Sequence, residues 1–172
     1  MTRAPLESGV ETARVFVALM LPTQIATELE SMQKRLLAAA SSVGAQLRAT
    51  PTHQFHLTLA FLGEISKARV PSVIEDVREF ARAAQGPFRL GAGGFVVFPS
   101  ARRPRVIGLA FADGSGELTR AVNKLHDRLR SQDFVLERRE FRPHVTLARL
   151  QQPAHFDSSV AYHPIPAQEC TI

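Results

Sequence analysis

The seven residues HLTLAFL at 56–62 recur as HVTLARL at 144–150, with five of the seven positions identical. In each copy a histidine stands two residues before a threonine, inside a short aliphatic run. A β-strand sends successive side chains to opposite faces. Alternation therefore predicts His56, Thr58 and Ala60 on one face and Phe55, Leu57, Leu59 and Phe61 on the other. In the second copy His144, Thr146 and Ala148 stand against Val145 and Leu147. Each strand would bury its aliphatic face and offer an imidazole and a hydroxyl on the other.

Those groups suit phosphodiester chemistry. Opening a cyclic phosphodiester with water needs a base to take a proton from the nucleophile and an acid to give one to the departing sugar oxygen. An imidazole exchanges protons near neutral pH, so a pair in opposite protonation states can do both. Hydroxyls of Thr58 and Thr146 can hold phosphoryl oxygens, and an arginine can stabilise their developing charge. If the two halves of the fold are related by approximate two-fold symmetry, the two strands meet near its axis and line one groove. A zinc site would need a third ligand, and neither motif carries a carboxylate on its histidine face. The sole cysteine, Cys170, excludes an internal disulfide and a cysteine-based zinc site. No metal or cofactor is expected. A decayed duplication that has lost its activity is the lesser alternative. The copies are too alike to say which histidine is the acid. Among the other histidines, His53 and His126 read as surface residues, while His155 and His163 lie in a Pro-rich tail without a motif.

The elements that must position these residues follow from periodicity. RVFVALML at 14–21 reads as a buried strand and FHLTLAFLG at 55–63 as another, closed by Gly63. Pro22 starts a helix, a position where proline is tolerated, with Ile25, Leu29, Met32 and Leu36 as its apolar stripe. A second helix spans 70–84 with Val70, Ile74, Val77 and Ala81 inward. Strands at 88–98 and 105–111 flank the connection PSARRP. A third helix covers 115–131 with Leu118, Val122, Leu125 and Leu129 inward, and 144–150 is a strand. A short strand, ECTI, ends the chain. Adjacent strands mixed with helices predict an α+β fold with antiparallel pairing rather than a doubly wound parallel sheet.

At 172 residues and 45% apolar composition, the chain can build one domain with a proper core. Residues 1–13 read as a disordered lead-in and 14–172 as a single domain. The lead-in lacks the apolar run of a signal peptide, and no stretch approaches the length needed to span a bilayer. A cytoplasmic protein without membrane contact is expected. The formal net charge is +5 with a pI near 10.3, carried almost wholly by arginine. Arginine suits bidentate phosphate contacts. Arg102, Arg103 and Arg105 fall in one stretch, and Arg138, Arg139, Arg142 and Arg149 surround the second motif. Strict alternation would aim Arg149 away from His144 unless a bulge re-aims it.

Through HLTLAFLGE at 56–64, FRPHVTLAR at 141–149, RVFVALMLP near the start and FPSARRPRVIGL at 98–109, the chain resembles the two-histidine phosphoesterases. The likeness is to the bacterial and archaeal branch called RNA 2′,3′-cyclic phosphodiesterase, also known as 2′-5′ RNA ligase. It covers about residues 14 to 172. The resemblance implies two pseudo-symmetric lobes with antiparallel sheets around a central groove and helices on the outer faces. It implies His56 as the general acid for the 3′ oxygen, His144 as the base activating water, and Thr58, Thr146 and Arg149 as phosphate contacts. Phe16 corresponds to a position that stacks on a base. The implied substrate is RNA with a 2′,3′-cyclic phosphate end, tRNA halves among the candidates, with no obligate protein partner. The implied product is a 2′-phosphate, and 2′-5′ ligation without ATP is a related reaction. A phosphodiesterase for a small cyclic nucleotide or a 2′-5′ oligonucleotide, and an RNA-end binding module without turnover, are the alternatives. The family commonly carries Trp where Gly108 stands and commonly runs on past the position of Ile172 through further strands, so either the protein is short there or its last strands are missing from this sequence.

Overall fold

A computed structural model describes residues 10–84, 87–100, 103–137 and 139–151, and the backbone of 168–170. Strand β1 spans Thr12–Met20, β2 Leu47–Ala49, β3 His56–Ser66, β4 Phe88–Phe98, β5 Val106–Asp113, β6 His144–Leu150 and β7 Gln168–Cys170. Helix α1 spans Thr23–Ser42, α2 Val70–Ala83 and α3 Glu117–Ser131. The order is strand, helix, strand, strand, helix, strand, strand, helix, strand, strand. The α+β class expected from sequence is the class observed.

All strand pairs are antiparallel, and the strands form one connected sheet in the order β1–β3–β6–β5–β4–β7, with β2 on β6. The two lobes expected from sequence are thus halves of a single sheet. One half is β1 with β3, the other β4 with β5 and β6. They join at one residue pair, Leu57 with Val145. The rest of that edge of β6 is taken by β2, from Leu47 opposite Leu150 to Ala49 opposite Ala148.

The apolar stripes of the helices cover one face of this sheet. In α1 the stripe Ile25, Leu29, Met32, Leu36 and Ala40 is buried. Its spacing of three and four residues keeps one side of the helix inward. The helix ends before Gly44, whose φ of 73° lies in the left-handed region that favours glycine. In α3, Leu118, Val122, Leu125 and Leu129 are buried, as the periodicity predicts. These residues join Leu57, Leu59, Leu109, Val145 and Leu147 in one core.

Helix α2 keeps its expected facing only in part: Val70 and Val77 pack against the core. Its buried residues are Val73, Asp76 and Phe80, while Ile74 is exposed and so is Ala81. The inward face contains an aspartate, which an apolar pattern cannot mark. Asp76 accepts from Arg128 Nε at 2.5 Å and from Gln132 Nε2 at 2.8 and 2.9 Å, so its charge is buried with partners. Strand β1 begins at Thr12 rather than 14, inside the expected lead-in; residues 1–9 lie outside the described part. Strand β3 continues through Gly63, at φ 70°, to Ser66 instead of closing there. Arg102, Arg138, His155 and His163 also lie outside the described residues. Strand β2, three residues long, has too little pattern to be foreseen.

Candidate active site

The one bridge between the sheet halves sets the geometry of the two motifs. Leu57 lies opposite Val145 in antiparallel register. One residue to either side, His56 stands across from Thr146 and Thr58 across from His144. The two histidines are therefore diagonal neighbours, and so are the two threonines. In a regular antiparallel pair, diagonal neighbours lie about 7–8 Å apart at Cα. An approximate two-fold axis passes through the Leu57–Val145 pair, and the four polar side chains alternate around it.

The two motifs also share an irregularity. Along β1 and β3, Val17 pairs with Ala60 and Ala18 with Thr58, so Leu59 is extra. Along β5 and β6, Ile107 pairs with Ala148 and Gly108 with Thr146, so Leu147 is extra. Each is a bulge, and it falls at the same motif position in both copies. A bulge resets which face the following residues address. The burial pattern from histidine to the last leucine is identical in the two copies: half-buried, buried, half-buried, buried, buried, exposed, buried. Ala60 and Ala148 are buried with the leucines, against the simple alternation expected. Phe61 and Arg149 turn outward onto the histidine side. Arg149 thus reaches the face that strict alternation denied it.

The imidazoles are held alike. His56 Nδ1 lies 2.6 Å from the carbonyl of Gln54, and His144 Nδ1 lies 2.8 Å from the carbonyl of Arg142. A carbonyl only accepts, so each Nδ1 carries the proton and each Nε2 is left as the nitrogen available for chemistry. An aromatic ring backs each histidine. Phe16 stacks on His56 with centroids 5.1 Å apart, and Phe98 packs on His144 at 4.6 Å. The Phe16 ring remains 47% exposed. Gly108 makes room for the backbone of β6 beside the second histidine. A Cβ there would sit 2.8 Å from the Val145 carbonyl oxygen and 3.5 Å from His144 Cδ2.

At each bulge a helix side chain donates to the carbonyl of the extra residue, and the Leu147 carbonyl also accepts from the Thr50 N–H at 2.9 Å. Gln33, buried on α1, donates Nε2 to the Leu147 carbonyl at 2.6 Å and to the Thr50 carbonyl at 2.7 Å. His126 on α3 donates Nε2 to the Leu59 carbonyl at 2.7 Å. His126 is half-buried rather than a surface residue as its place beside the apolar stripe suggests. Neither role was visible in the sequence, because Gln33 and His126 share no motif and their targets exist only where strands bulge. His53 is exposed, as expected.

Two cavities flank the motif strands, and Thr58 and Phe61 line both. One, of about 700 Å³, holds His144 and Phe98 with Glu137, Arg139, Glu140 and Arg142. The other, of about 590 Å³, holds His56, Phe16 and Thr146 with Arg14, Arg48 and Arg149. The structure thus brings His56, Thr58, Thr146, Arg149 and Phe16 around one cavity, with His144 facing the adjoining one. Among the described residues, no cluster of three or more His, Cys, Asp or Glu side chains could hold a metal ion.

Two H-x-T-L strands meeting at the centre of one antiparallel sheet, each presenting a histidine beside the other's threonine, is the plan of a two-histidine phosphoesterase. The model of the family described as LigT like Phosphoesterase matches residues 19–108, and the chain belongs to that family. It is 35% identical over 117 residues to the RNA 2′,3′-cyclic phosphodiesterase of Aeropyrum pernix, covering 68% of this chain and 65% of that protein. It is 31% identical over 145 residues to the RNA 2′,3′-cyclic phosphodiesterase of Thermus thermophilus, covering 82% and 70%. The chain spans just under two thirds of the Aeropyrum relative and 51% of the Aquifex aeolicus one. The fold is similar to the crystal structure of TT0787 of Thermus thermophilus, with a TM-score of 0.64 at 28% identity over 93% of this chain and 82% of that one. It is also similar to E. coli LigT in apo form, with a TM-score of 0.63 at 22% identity over 93% and 84%, a likeness of fold.

Proposed function

We propose that this chain hydrolyses RNA 2′,3′-cyclic phosphate ends to 2′-phosphomonoesters by metal-independent acid–base catalysis. The observation that carries the reading is the diagonal placement of His56 and His144 about the Leu57–Val145 pair, each with Nδ1 tied to a backbone carbonyl. A phosphorus atom between two such imidazoles has one on its nucleophile side and the other on its leaving-group side. His144 Nε2 takes a proton from water as the water oxygen attacks phosphorus. The bond from phosphorus to the 3′ oxygen breaks, and His56 Nε2 delivers a proton to that oxygen. Thr58 and Thr146 hold the non-bridging oxygens, and Arg149 meets their growing charge. Each such donor stabilises the transition state by about 3 kcal/mol. With a 5′-hydroxyl in place of water, the same steps form a 2′-5′ linkage without ATP. The names of the relatives support RNA as the substrate, and the exposed ring of Phe16 offers a surface for its base.

The test is hydrolysis of a dinucleotide ending in a 2′,3′-cyclic phosphate, in excess EDTA, across pH 5 to 9. Turnover should persist in EDTA with a bell-shaped kcat/KM, because one imidazole must be neutral and the other protonated. His56→Ala and His144→Ala should each lower the rate about 10²–10⁴-fold. Binding without turnover, or EDTA loss restored by zinc, would remove the proposal.

A further inference from the structure

Two arginines face each other across the sheet beside the His56 cavity. Arg48 on β2 lies directly opposite Arg149 on β6, and both line that cavity. Like charges placed directly opposite on neighbouring strands repel. The cavity has Arg14 as a third cation, and no carboxylate lines it among the described residues. Arg14 is less available, since it stands across from Glu64 and over the Phe61 ring. The His144 cavity differs: it sets Glu137 and Glu140 beside Arg139 and Arg142. Positive charge is therefore uncompensated on one side of the groove only. Arg48 belongs to no motif and sits on a strand too short to be read from sequence.

We propose that Arg48, beside Arg149, forms a subsite for the phosphodiester upstream of the cyclic end, making the enzyme select oligoribonucleotides over mononucleotides. The inference rests on the proposed function and adds a direction to it. In an in-line displacement the ribose lies on the leaving-group side, which is the side of His56. The upstream chain is attached to that ribose through its 5′ oxygen. It must leave the centre on the same side, where Arg48 on β2 stands beyond Arg149 and lines the His56 cavity. An anion on Arg48 would relieve its repulsion with Arg149, whose guanidinium meets the reacting phosphate, and a guanidinium can bind phosphate bidentately.

The experiment compares kcat/KM for adenosine 2′,3′-cyclic phosphate with that for a tetranucleotide ending in a 2′,3′-cyclic phosphate, in the wild type, Arg48→Gln and Arg48→Lys. The wild type should prefer the tetranucleotide. Arg48→Gln should lower the tetranucleotide-to-mononucleotide ratio about tenfold, while Arg48→Lys keeps most of it. The slope of log kcat/KM against log salt for the tetranucleotide should fall by about 0.7 in Arg48→Gln. Equal use of both substrates by the wild type, or an equal proportional loss on both in Arg48→Gln, overturns the subsite and leaves the phosphodiesterase standing. Turnover of neither substrate overturns the phosphodiesterase and the subsite with it.

Discussion

His56 and His144 each engage Nδ1 with the carbonyl two residues upstream, and that local contact settles the tautomer before any substrate arrives. Ring orientation is then held from the side by Phe16 or Phe98. For His144 a further condition applies across the strand pair. The absent side chain at Gly108 lets the Val145 carbonyl, next to His144, approach β5. Gly108→Ala would place a carbon 2.8 Å from a backbone oxygen that cannot rotate away. Strand β5 would have to shift, at about 1–3 kcal/mol of stability by analogy with overpacked cores. The melting temperature should fall, and kcat should fall more than KM changes, because His144, the proposed base, adjoins the shifted strand. An unchanged melting temperature and kcat would show that the strand accommodates the methyl group freely.

At the scale of elements, the bulges do what regular strands could not. A regular strand carrying H-x-T-L-A-R would send its arginine into the core. The extra residue at Leu147 aims Arg149 back to the histidine side, and the one at Leu59 does the same for Phe61. The carbonyls of the buried Leu147 and Leu59 then accept from Gln33 on α1 and His126 on α3. Each helix supports the motif strand of the opposite half: α1 follows β1 yet caps β6, and α3 follows β5 yet caps β3. Gln33 performs in one half what His126 performs in the other, so the structure itself suggests the tolerated replacement. His126→Gln should keep both stability and rate. His126→Leu should leave the Leu59 carbonyl without its donor, at about 1–3 kcal/mol. Thermal unfolding and steady-state hydrolysis of the two variants check this. Equal behaviour of the Gln and Leu variants would mean that the hydrogen bond contributes nothing.

The whole molecule is a pseudo-symmetric pair of units, β1–α1–β3 and β5–α3–β6, fused through one sheet and sharing one core. Their join is narrow at the sheet, a single residue pair beside β2. The helical layer supplies a second connection. Asp76 on α2 binds Arg128 on α3 and Gln132 just beyond it, and Arg128 also reaches Glu79. Asp76 is 1% exposed, so its charge depends on these partners. Asp76→Asn should destabilise the protein by about 1–3 kcal/mol, since hydrogen bonds to a charged group are lost in a buried place. Activity per folded molecule should hold, because α2 lies across the core from the histidines. A loss of kcat without a loss of stability would instead tie the helical layer to catalysis. Among the described residues no helix is long and apolar enough to cross a membrane.

The repeated H-x-T-L strings, the apolar stripes of α1 and α3 and the antiparallel α+β class were legible in the amino-acid order, because each is a local periodicity. The repeat was enough to pick out His56, Thr58, His144 and Thr146. The facing of α2 was legible only at Val70 and Val77, because its inward face includes Asp76 and the partners that make this tolerable lie more than fifty residues away. Nor were the bulges, which are relations between strands rather than properties of one. The turn of Arg149 toward the histidines, the burial of Ala60 and Ala148, the capping by Gln33 and His126 and the opposition of Arg48 to Arg149 all follow from strand register. A sequence prescribes which residues alternate; only pairing decides where the alternation breaks, because a ladder hydrogen bond is made or skipped by two strands together.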